Sequence, residues 1–141
     1  MVYPEKYINE LSKRTPWIIL ESGRIFIMGR SIPENPGDFY RNVQAWITEY
    51  SKKFRGKTKI SLGFEYINTA SMKWIYTILK ELSQVSEIAN NATIAWYYEK
   101  GDEDMKELGF ILKSLVVSPF TMIEVEEMDK EIYDMILAGK K

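Results

Sequence analysis

Hydrophobic and polar residues alternate from Lys59 to Ile67, and this is the clearest pattern in the chain. One side of the pattern is apolar and the other is small or polar, with Ile60, Leu62, Phe64 and Tyr66 opposed to Ser61, Gly63 and Glu65. A period of two residues is typical of a β-strand. The next apolar residues recur at helical spacing, at Met72, Ile75, Leu79 and Leu82. The stretch therefore predicts a strand followed closely by a helix, and the small face of the strand predicts a closely packed neighbour.

The junction between this strand and this helix is the segment Asn68-Thr69-Ala70-Ser71. All of its side chains except that of Ala70 can accept a hydrogen bond from the free N–H groups at a helix start, so one of them is expected to be the N-cap. A hydroxyl here also lies where aligned peptide dipoles favour negative charge. A phosphate on Thr69 or Ser71 would therefore be held by backbone donors. We interpret the junction as a phosphorylation switch rather than an active site.

The other apolar patterns predict that strands and helices alternate along the rest of the chain. Asn35 is a good N-cap with Pro36 at the first helical position, so a helix is expected to begin there and to end near Gly56. The second helix is expected to end near Val85 or Ile88, and the third to begin at Asp102 or Glu103. The predicted strands cover residues 17–20, 24–28, 59–67, 93–98 and 120–125, and the last helix covers residues 129–137.

The predicted order, β-β-α-β-α-β-α-β-α, is typical of an α/β fold with a mixed, largely parallel sheet. One domain is expected to span residues 1–141, with a weakly patterned segment at 1–14 that contributes a short strand or turn. Right-handed crossovers bring the carboxyl ends of the parallel strands to one edge, where binding sites gather. The segments 32–35, 68–71 and 97–104 are expected to meet there. The exposed parts of Tyr97, Tyr98 and the Pro33 turn are the predicted partner surface, although alternation sends the two tyrosines to opposite faces and core packing is expected for at least one of them.

The amino-acid composition excludes several classes of partner and of catalytic site. With 141 residues, 19 basic and 20 acidic, the chain carries a net charge of -1, so no nucleic-acid or membrane partner is expected. The chain contains no His and no Cys. Imidazole or thiol catalysis and Cys/His zinc sites are therefore excluded. The sequence shows neither a secretory signal nor an apolar run of the roughly 20 residues that a membrane helix needs. A cytoplasmic, non-enzymatic protein without a metal or other cofactor is expected.

Two alternatives remain open at this point. Glu34, Asp102, Glu103 and Asp104 are carboxylates that could bind magnesium in a metal-dependent enzyme, although Asp102 to Asp104 also fit the simpler role of capping a helix. The aromatic surplus of four Trp, nine Tyr and six Phe could instead form a constitutive homodimer. The expected oligomeric state is a monomer or a weak homodimer.

Three segments of the chain, taken together, match one known family. They are GRSIPENPGDFY, FEYINTASMKW and WYYEKGDEDMKELG. They resemble the signature blocks of the SiaC-type bacterial regulatory phosphoproteins, in which a strand ends in Y-F-N-T-S-S and W-Y-Y opens an acidic stretch. The resemblance runs from about Thr15 to Val125. Ala70 and Ile67 depart from the second block, and Lys100 and Gly101 dilute the acidic stretch.

The resemblance implies a partner-switching protein with a STAS-like (SpoIIAA-like) fold, similar to that of anti-sigma-factor antagonists. In such systems a dedicated protein kinase phosphorylates a hydroxyl at the start of the second helix, and a PP2C-type phosphatase removes the phosphate. The phosphoacceptor falls on Thr69, with Asn68, Ala70 and Ser71 around it. The unphosphorylated family protein binds and activates a diguanylate cyclase, which implies a role in cyclic-di-GMP regulation. The predicted partner-binding residues are Pro33, Glu34, Asn35, Tyr98, Asp102, Glu103 and Asp104.

Overall fold

Six strands pair into one sheet in the order in which they occur along the chain. The computed structural model describes residues 5–139. The strands are β1 (Tyr7–Asn9), β2 (Trp17–Glu21), β3 (Arg24–Ser31), β4 (Thr58–Ile67), β5 (Ala92–Glu99) and β6 (Phe120–Val125). The helices are α1 (Pro36–Lys53), α2 (Thr69–Ser83), α3 (Ser86–Ala89), α4 (Glu103–Lys113) and α5 (Lys130–Leu137). β1, β2 and β3 pair antiparallel, whereas β3 to β6 pair parallel, which confirms the predicted α/β fold with its largely parallel sheet.

The differences from the predicted elements are small and local. β1 lies within the weakly patterned amino-terminal segment. β3 continues to Ser31, three residues beyond the predicted strand, because its last residues pair with the end of β4. The second predicted helix is divided in two: α2 ends at Ser83, Val85 is extended, and the single turn of α3 follows. None of the described helices is both long and apolar enough to cross a bilayer.

The helices divide unequally between the two faces of the sheet. Residues of α1, α2 and α4 pack with one face, in a core that includes Tyr40, Ile75 and Leu112. The core on the opposite face is smaller, and Tyr133 and Ile136 of α5 pack there. Each of α1, α2 and α4 connects two neighbouring parallel strands, so right-handed crossovers place all three on the same face.

The small face of β4 has the close neighbour that its sequence predicts. A Cβ atom added to Gly63 would lie 2.8 Å from Met128 Cε and 3.0 Å from Tyr97 Cβ. Such distances are shorter than van der Waals contact. Gly63 therefore allows the segment before α5 to approach the sheet directly.

One part of the β4 pattern was predicted wrongly. Tyr66 is 51% exposed, although the alternation assigns it to the same buried face as Phe64. The reason is a β-bulge: Gly29 pairs with Phe64 and Arg30 pairs with Tyr66, so Glu65 is an extra residue in β4. The bulge reverses the alternation, and Ile67 becomes the buried residue that leads into α2.

Gly109 marks the closest approach of α4 to the sheet, and its replacement tests this packing. A Cβ atom at this position would lie 2.5 Å from Cδ1 of the fully buried Trp96, whose Nε1 donates to the Met105 carbonyl oxygen at 3.0 Å. Because Trp96 is held by that bond and by the core, we expect Gly109→Ala to lower the free energy of unfolding by about 1–3 kcal/mol. Urea denaturation monitored by circular dichroism measures the change.

Gly37→Ala is the matched control for that substitution. Gly37 also lies in a helix, but the nearest atom to an added Cβ is Asn35 Oδ1 at 3.5 Å, an ordinary contact. Alanine favours the helix over glycine, so Gly37→Ala should leave the stability unchanged or raise it slightly. Equal stability of Gly109→Ala and wild type would contradict the tight packing inferred here.

Candidate functional site

Three helix N-termini lie at the carboxyl edge of the parallel strands. Asn35, Asn68 and Asp102 are the N-caps of α1, α2 and α4, and their side chains accept hydrogen bonds from the backbone N–H groups of Asp38, Ser71 and Met105 at 3.2, 2.8 and 3.1 Å. Each cap follows one of the neighbouring strands β3, β4 and β5. The three segments that the sequence predicts to converge are therefore at one edge of the sheet.

Thr69 is the exposed residue at the centre of this edge. It is the first residue of α2. The Asn68 side chain accepts a hydrogen bond from the Ser71 N–H and not from the N–H groups of Thr69 and Ala70. Within residues 5–139, the backbone N–H groups of Thr69 and Ala70 have no protein acceptor. Free N–H groups and the positive end of the helix dipole together favour an anion at this position.

Ser71, the other hydroxyl of the junction, is completely buried. Its Oγ lies beside the Tyr40 hydroxyl, and it makes no hydrogen bond of good geometry among the described residues. The Tyr40 hydroxyl also bonds to Ser31 Oγ at 2.5 Å, and its ring stacks on Trp74 with the ring centroids 6.2 Å apart. Of the two hydroxyls that the sequence offers for modification, Thr69 is the accessible one.

The first two loops of the edge are joined to each other. The Asn68 N–H donates to the Ser31 carbonyl oxygen at 3.0 Å, so the start of α2 is tied to the end of β3. Tyr40 of α1 extends this connection through its contacts with Ser31 and Trp74. A charge added at Thr69 would therefore act on a segment that is held in place by β3 and α1.

The prediction of an exposed surface at Pro33, Tyr97 and Tyr98 was wrong. Pro33 is buried, and Tyr97 and Tyr98 are each 7% exposed. The two tyrosines point to opposite faces because they are consecutive in β5, and each joins the core on its own side of the sheet. Among the other predicted partner-binding residues, Glu34, Asn35, Glu103 and Asp104 are exposed and Asp102 is half-buried.

The acidic residues of the edge lie at the start of α4. Asp102 is the N-cap of α4, and Glu103 and Asp104 occupy its first turn, where carboxylates favour the helix dipole. In the described part of the chain, no three or more acidic side chains are placed so that they could hold a metal ion. The alternative of a metal-dependent enzyme at this cluster thus has no support in the geometry.

An apolar groove beside Thr69 was missed by the sequence reasoning. It lies between α2 and α4, has a volume of about 230 Å³, and is lined by Thr69, Met72, Lys73, Tyr76, Leu108, Ile111, Leu112 and Leu115. The exposed fractions of Ile111 and Leu115 are both 50%. The signal in the sequence is an apolar stripe on α4 that is wider than its contact with the sheet requires.

The α/β sheet presents an accessible threonine at a helix N-terminus, where an added phosphate would be stabilised. Residues 9–125 match the sequence profile described as SiaC family regulatory phosphoprotein. The chain therefore belongs to the SiaC family of regulatory phosphoproteins, and the resemblance identified from its three sequence blocks is confirmed.

Similar structures and a similar sequence come from Pseudomonas aeruginosa. SiaC of that organism has a TM-score of 0.77 and 22% identity, with 86% of this chain and 99% of that chain covered. A crystal structure of the diguanylate cyclase SiaD in complex with its activator SiaC has a TM-score of 0.75 and 23% identity, with 84% and 99% covered. An uncharacterized protein of strain UCBPP-PA14 is 24% identical over 102 residues, which are 72% of this chain and 81% of that protein. These similarities show a shared fold.

We expect the buried Tyr40 hydroxyl, which lies beside Ser31 and Ser71, to make the stability of the fold depend on pH. Burial raises the pKa of Tyr40 to about 12, although the Ser31 and Ser71 hydroxyls partly oppose the rise. The folded protein holds this proton more tightly than the unfolded chain, in which tyrosine titrates near pH 10. The stability that results is complete below about pH 10 and is lost as the pH rises towards 12.

We therefore expect the free energy of unfolding to fall less steeply above pH 10 in Tyr40→Phe than in wild type, by up to about 1.4 kcal/mol per pH unit. Urea denaturation at pH 9, 10 and 11 measures the two slopes. Tyr66→Phe, at a half-exposed tyrosine, is the control for the loss of a phenol hydroxyl. Parallel slopes for Tyr40→Phe and wild type would show that the proton on Tyr40 is not held more tightly on folding.

Proposed function

We propose that this protein is a non-enzymatic partner switch whose state is set by a phosphate on Thr69. A dedicated protein kinase adds the phosphate, a PP2C-type phosphatase removes it, and the unmodified protein binds an effector. The observation that carries the proposal is the exposed Thr69 hydroxyl at the start of α2, beside two free backbone N–H groups, in a chain of the regulatory phosphoprotein family. Asn68 and Ala70 flank it, and Ser71 anchors the first turn below it.

The effector that we propose is a diguanylate cyclase. The support is the structural likeness to SiaC, which is described as the activator of the cyclase SiaD and is seen in complex with it. The protein would then raise cyclic-di-GMP production by binding the enzyme, without catalysing a reaction itself. Because the kinase and the cyclase consume nucleoside triphosphates, we place the switch in the cytoplasm.

Phosphorylation changes the electrostatics of the edge in two opposed ways. The phosphate adds about -1.5 to -2 charges, which the helix dipole and the free N–H groups of α2 stabilise. The same charge repels the carboxylates in the first turn of α4, Glu103 and Asp104, which follow the neighbouring strand β5. A partner that docks on this edge also has to remove water from the phosphate, and this cost disfavours the complex.

Replacement of Thr69 tests the switch. We expect Thr69→Ala to take up no phosphate from the cognate kinase and ATP, and Thr69→Glu to bind the cyclase more weakly than wild type, because it places a permanent charge at the same position. Intact-protein and peptide mass spectrometry measure the phosphate, and a pull-down with the cyclase measures the complex.

The matched control is Thr77→Ala, since Thr77 is an exposed threonine further along the same helix. This variant should be phosphorylated on Thr69 at the wild-type rate. Phosphate on Ser71 or Thr77 with an unmodified Thr69 would show that another residue is the phosphoacceptor. A protein that stays unmodified after exposure to every kinase of the organism would contradict the proposed phosphorylation.

A metal titration separates the switch from an acidic metalloenzyme. Asp102 is engaged as a helix cap and the neighbouring carboxylates are exposed to water, so we expect no saturable heat of binding for magnesium or manganese at sub-millimolar concentration. Isothermal calorimetry on the isolated protein measures it. A tight site that disappears in Asp104→Asn would support the enzyme and contradict this assignment.

A further inference from the structure

A hollow of about 430 Å³ lies where the start of α5 meets the ends of β3 and β4, and we call it the α5 hollow. Its walls come from the segment 11–13, from the bulge between β3 and β4, and from residues between Met128 and Tyr133. It lies on the face of the sheet with the smaller core, so the sheet separates it from α2. The family match ends at residue 125, so the hollow depends on a segment beyond the matched region.

The floor of the α5 hollow contains a phenol hydroxyl without a partner. Tyr133 lines the hollow, although only 2% of the residue is exposed. Its hydroxyl makes no hydrogen bond to any residue in the described range 5–139. Nearly all buried polar groups of folded proteins have a hydrogen-bond partner, and one without a partner destabilises the fold. The free hydroxyl therefore indicates a ligand that supplies the missing bond.

The surroundings of this hydroxyl favour a positively charged donor. Burial raises the pKa of Tyr133, and the carboxylates of Glu65, Asp129 and Glu99 raise it further. Glu65 and Asp129 also line the hollow, so these two charges and the phenol face the same space. A phenol oxygen can accept a hydrogen bond, and a negative potential around it attracts an ammonium group.

Some charged side chains of the lining already have a counter-ion. Arg30 Nη1 lies 3.8 Å from Glu65 Oε2, where the bulge brings the two strands together. Lys130 Nζ lies 3.2 Å from Asp134 Oδ2, one turn further along α5. These two pairs leave little net charge for a ligand to neutralise.

Two other charged side chains of the lining have no counter-ion, and they are of opposite sign. Lys13 is exposed, and within the part of the chain that the structure describes its side chain forms neither an ion pair nor a hydrogen bond. The Asp129 side chain accepts a hydrogen bond from the Ile132 N–H at 3.0 Å, and no cation of residues 5–139 pairs with it. The hollow thus offers one cation and one carboxylate to a ligand.

This pair of charges selects the class of ligand. A simple anion would be attracted by Lys13 but repelled by Asp129, and the opposite holds for a simple cation. A metal ion is disfavoured, because no three acidic side chains among residues 5–139 are placed to hold one. A zwitterion satisfies both charges. Leu11 and the buried Met128 add an apolar wall, which fits an apolar side chain on that zwitterion.

We propose that the α5 hollow binds a free α-amino acid with an apolar side chain. Its carboxylate lies on Lys13, and its ammonium group lies between the Asp129 carboxylate and the Tyr133 hydroxyl. The site is independent of the proposed switch, because it uses neither Thr69 nor the face of the sheet that carries α2.

Isothermal calorimetry on the full chain tests the ligand class, with L-valine, L-leucine and L-phenylalanine as probes. Two analogues separate the charges: leucine amide lacks the carboxylate, and N-acetyl-leucine lacks the ammonium group. We expect at least one of the three amino acids to bind saturably, and both analogues to bind about tenfold more weakly than L-leucine. Failure of all three amino acids to bind, or an analogue that binds as tightly as L-leucine, would overturn the proposal.

Tyr133→Phe locates the site, since it removes the hydroxyl and keeps the ring. The matched control is Tyr97→Phe, because Tyr97 is a buried tyrosine of the same core that does not line the hollow. We expect Tyr133→Phe to weaken the bound amino acid by about tenfold and Tyr97→Phe to leave its affinity unchanged. Equal affinities for Tyr133→Phe and wild type would contradict the assigned site.

Asp129→Asn tests the ammonium contact without removing the helix cap, because asparagine caps a helix as well as aspartate does. The control is Glu131→Gln, which removes a carboxylate from the same turn but outside the lining. We expect Asp129→Asn to weaken the amino acid by about tenfold and Glu131→Gln to change little. A loss that is equal in both variants would reduce the effect to the general charge of the helix start and reject the contact.

Discussion

Parallel pairing of β3, β4, β5 and β6 in chain order is the constraint on which the rest of the structure depends. Because every connection between these strands is a right-handed crossover, α1, α2 and α4 pack on one face and begin at one edge. Their three N-caps are therefore neighbours, although they are 33 or 34 residues apart along the chain. The local capping sequence places Thr69 at a helix start, and the topology places that helix start between two others.

Buried hydroxyl groups lie close to the junction that carries Thr69. Ser31, Tyr40 and Ser71 come from β3, α1 and α2, and all three are completely buried. Ser31 Oγ and the Tyr40 hydroxyl are hydrogen-bonded to each other, which ties β3 to α1, whereas Ser71 Oγ has no hydrogen-bond partner among the described residues. The hydrogen bond from the Asn68 N–H to the Ser31 carbonyl oxygen links the start of α2 to β3. A modification on Thr69 would thus change the charge of the surface while the backbone beneath it stays in place.

Features set by neighbouring residues were predictable from the sequence, and features set by distant contacts were not. Asn35 and Asp129 begin helices where their local patterns indicate, and Thr69 is exposed as the capping signal implies. The bulge at Glu65 depends on how β4 pairs with Gly29 of another strand, so no alternation within β4 reveals it. The sequence around Tyr98 is compatible with a surface position and with a core position, and only the packing of α4 on the sheet decides between them. The groove has the same origin, since it depends on the gap between α2 and α4.

A phosphate on Thr69, as proposed, would act in opposite directions on the free protein and on a complex with its partner. In the free protein the phosphate would face water, the helix dipole and unpaired N–H groups, which stabilise it. In a complex that covers the α2–α4 groove, the same group would lie at the rim of an apolar contact and lose part of its hydration. The difference in free energy between these two environments would be available for the proposed switch. A hydroxyl further along α2 would lack the free N–H groups, and one away from the groove would lack the apolar contact, so Thr69 combines both requirements.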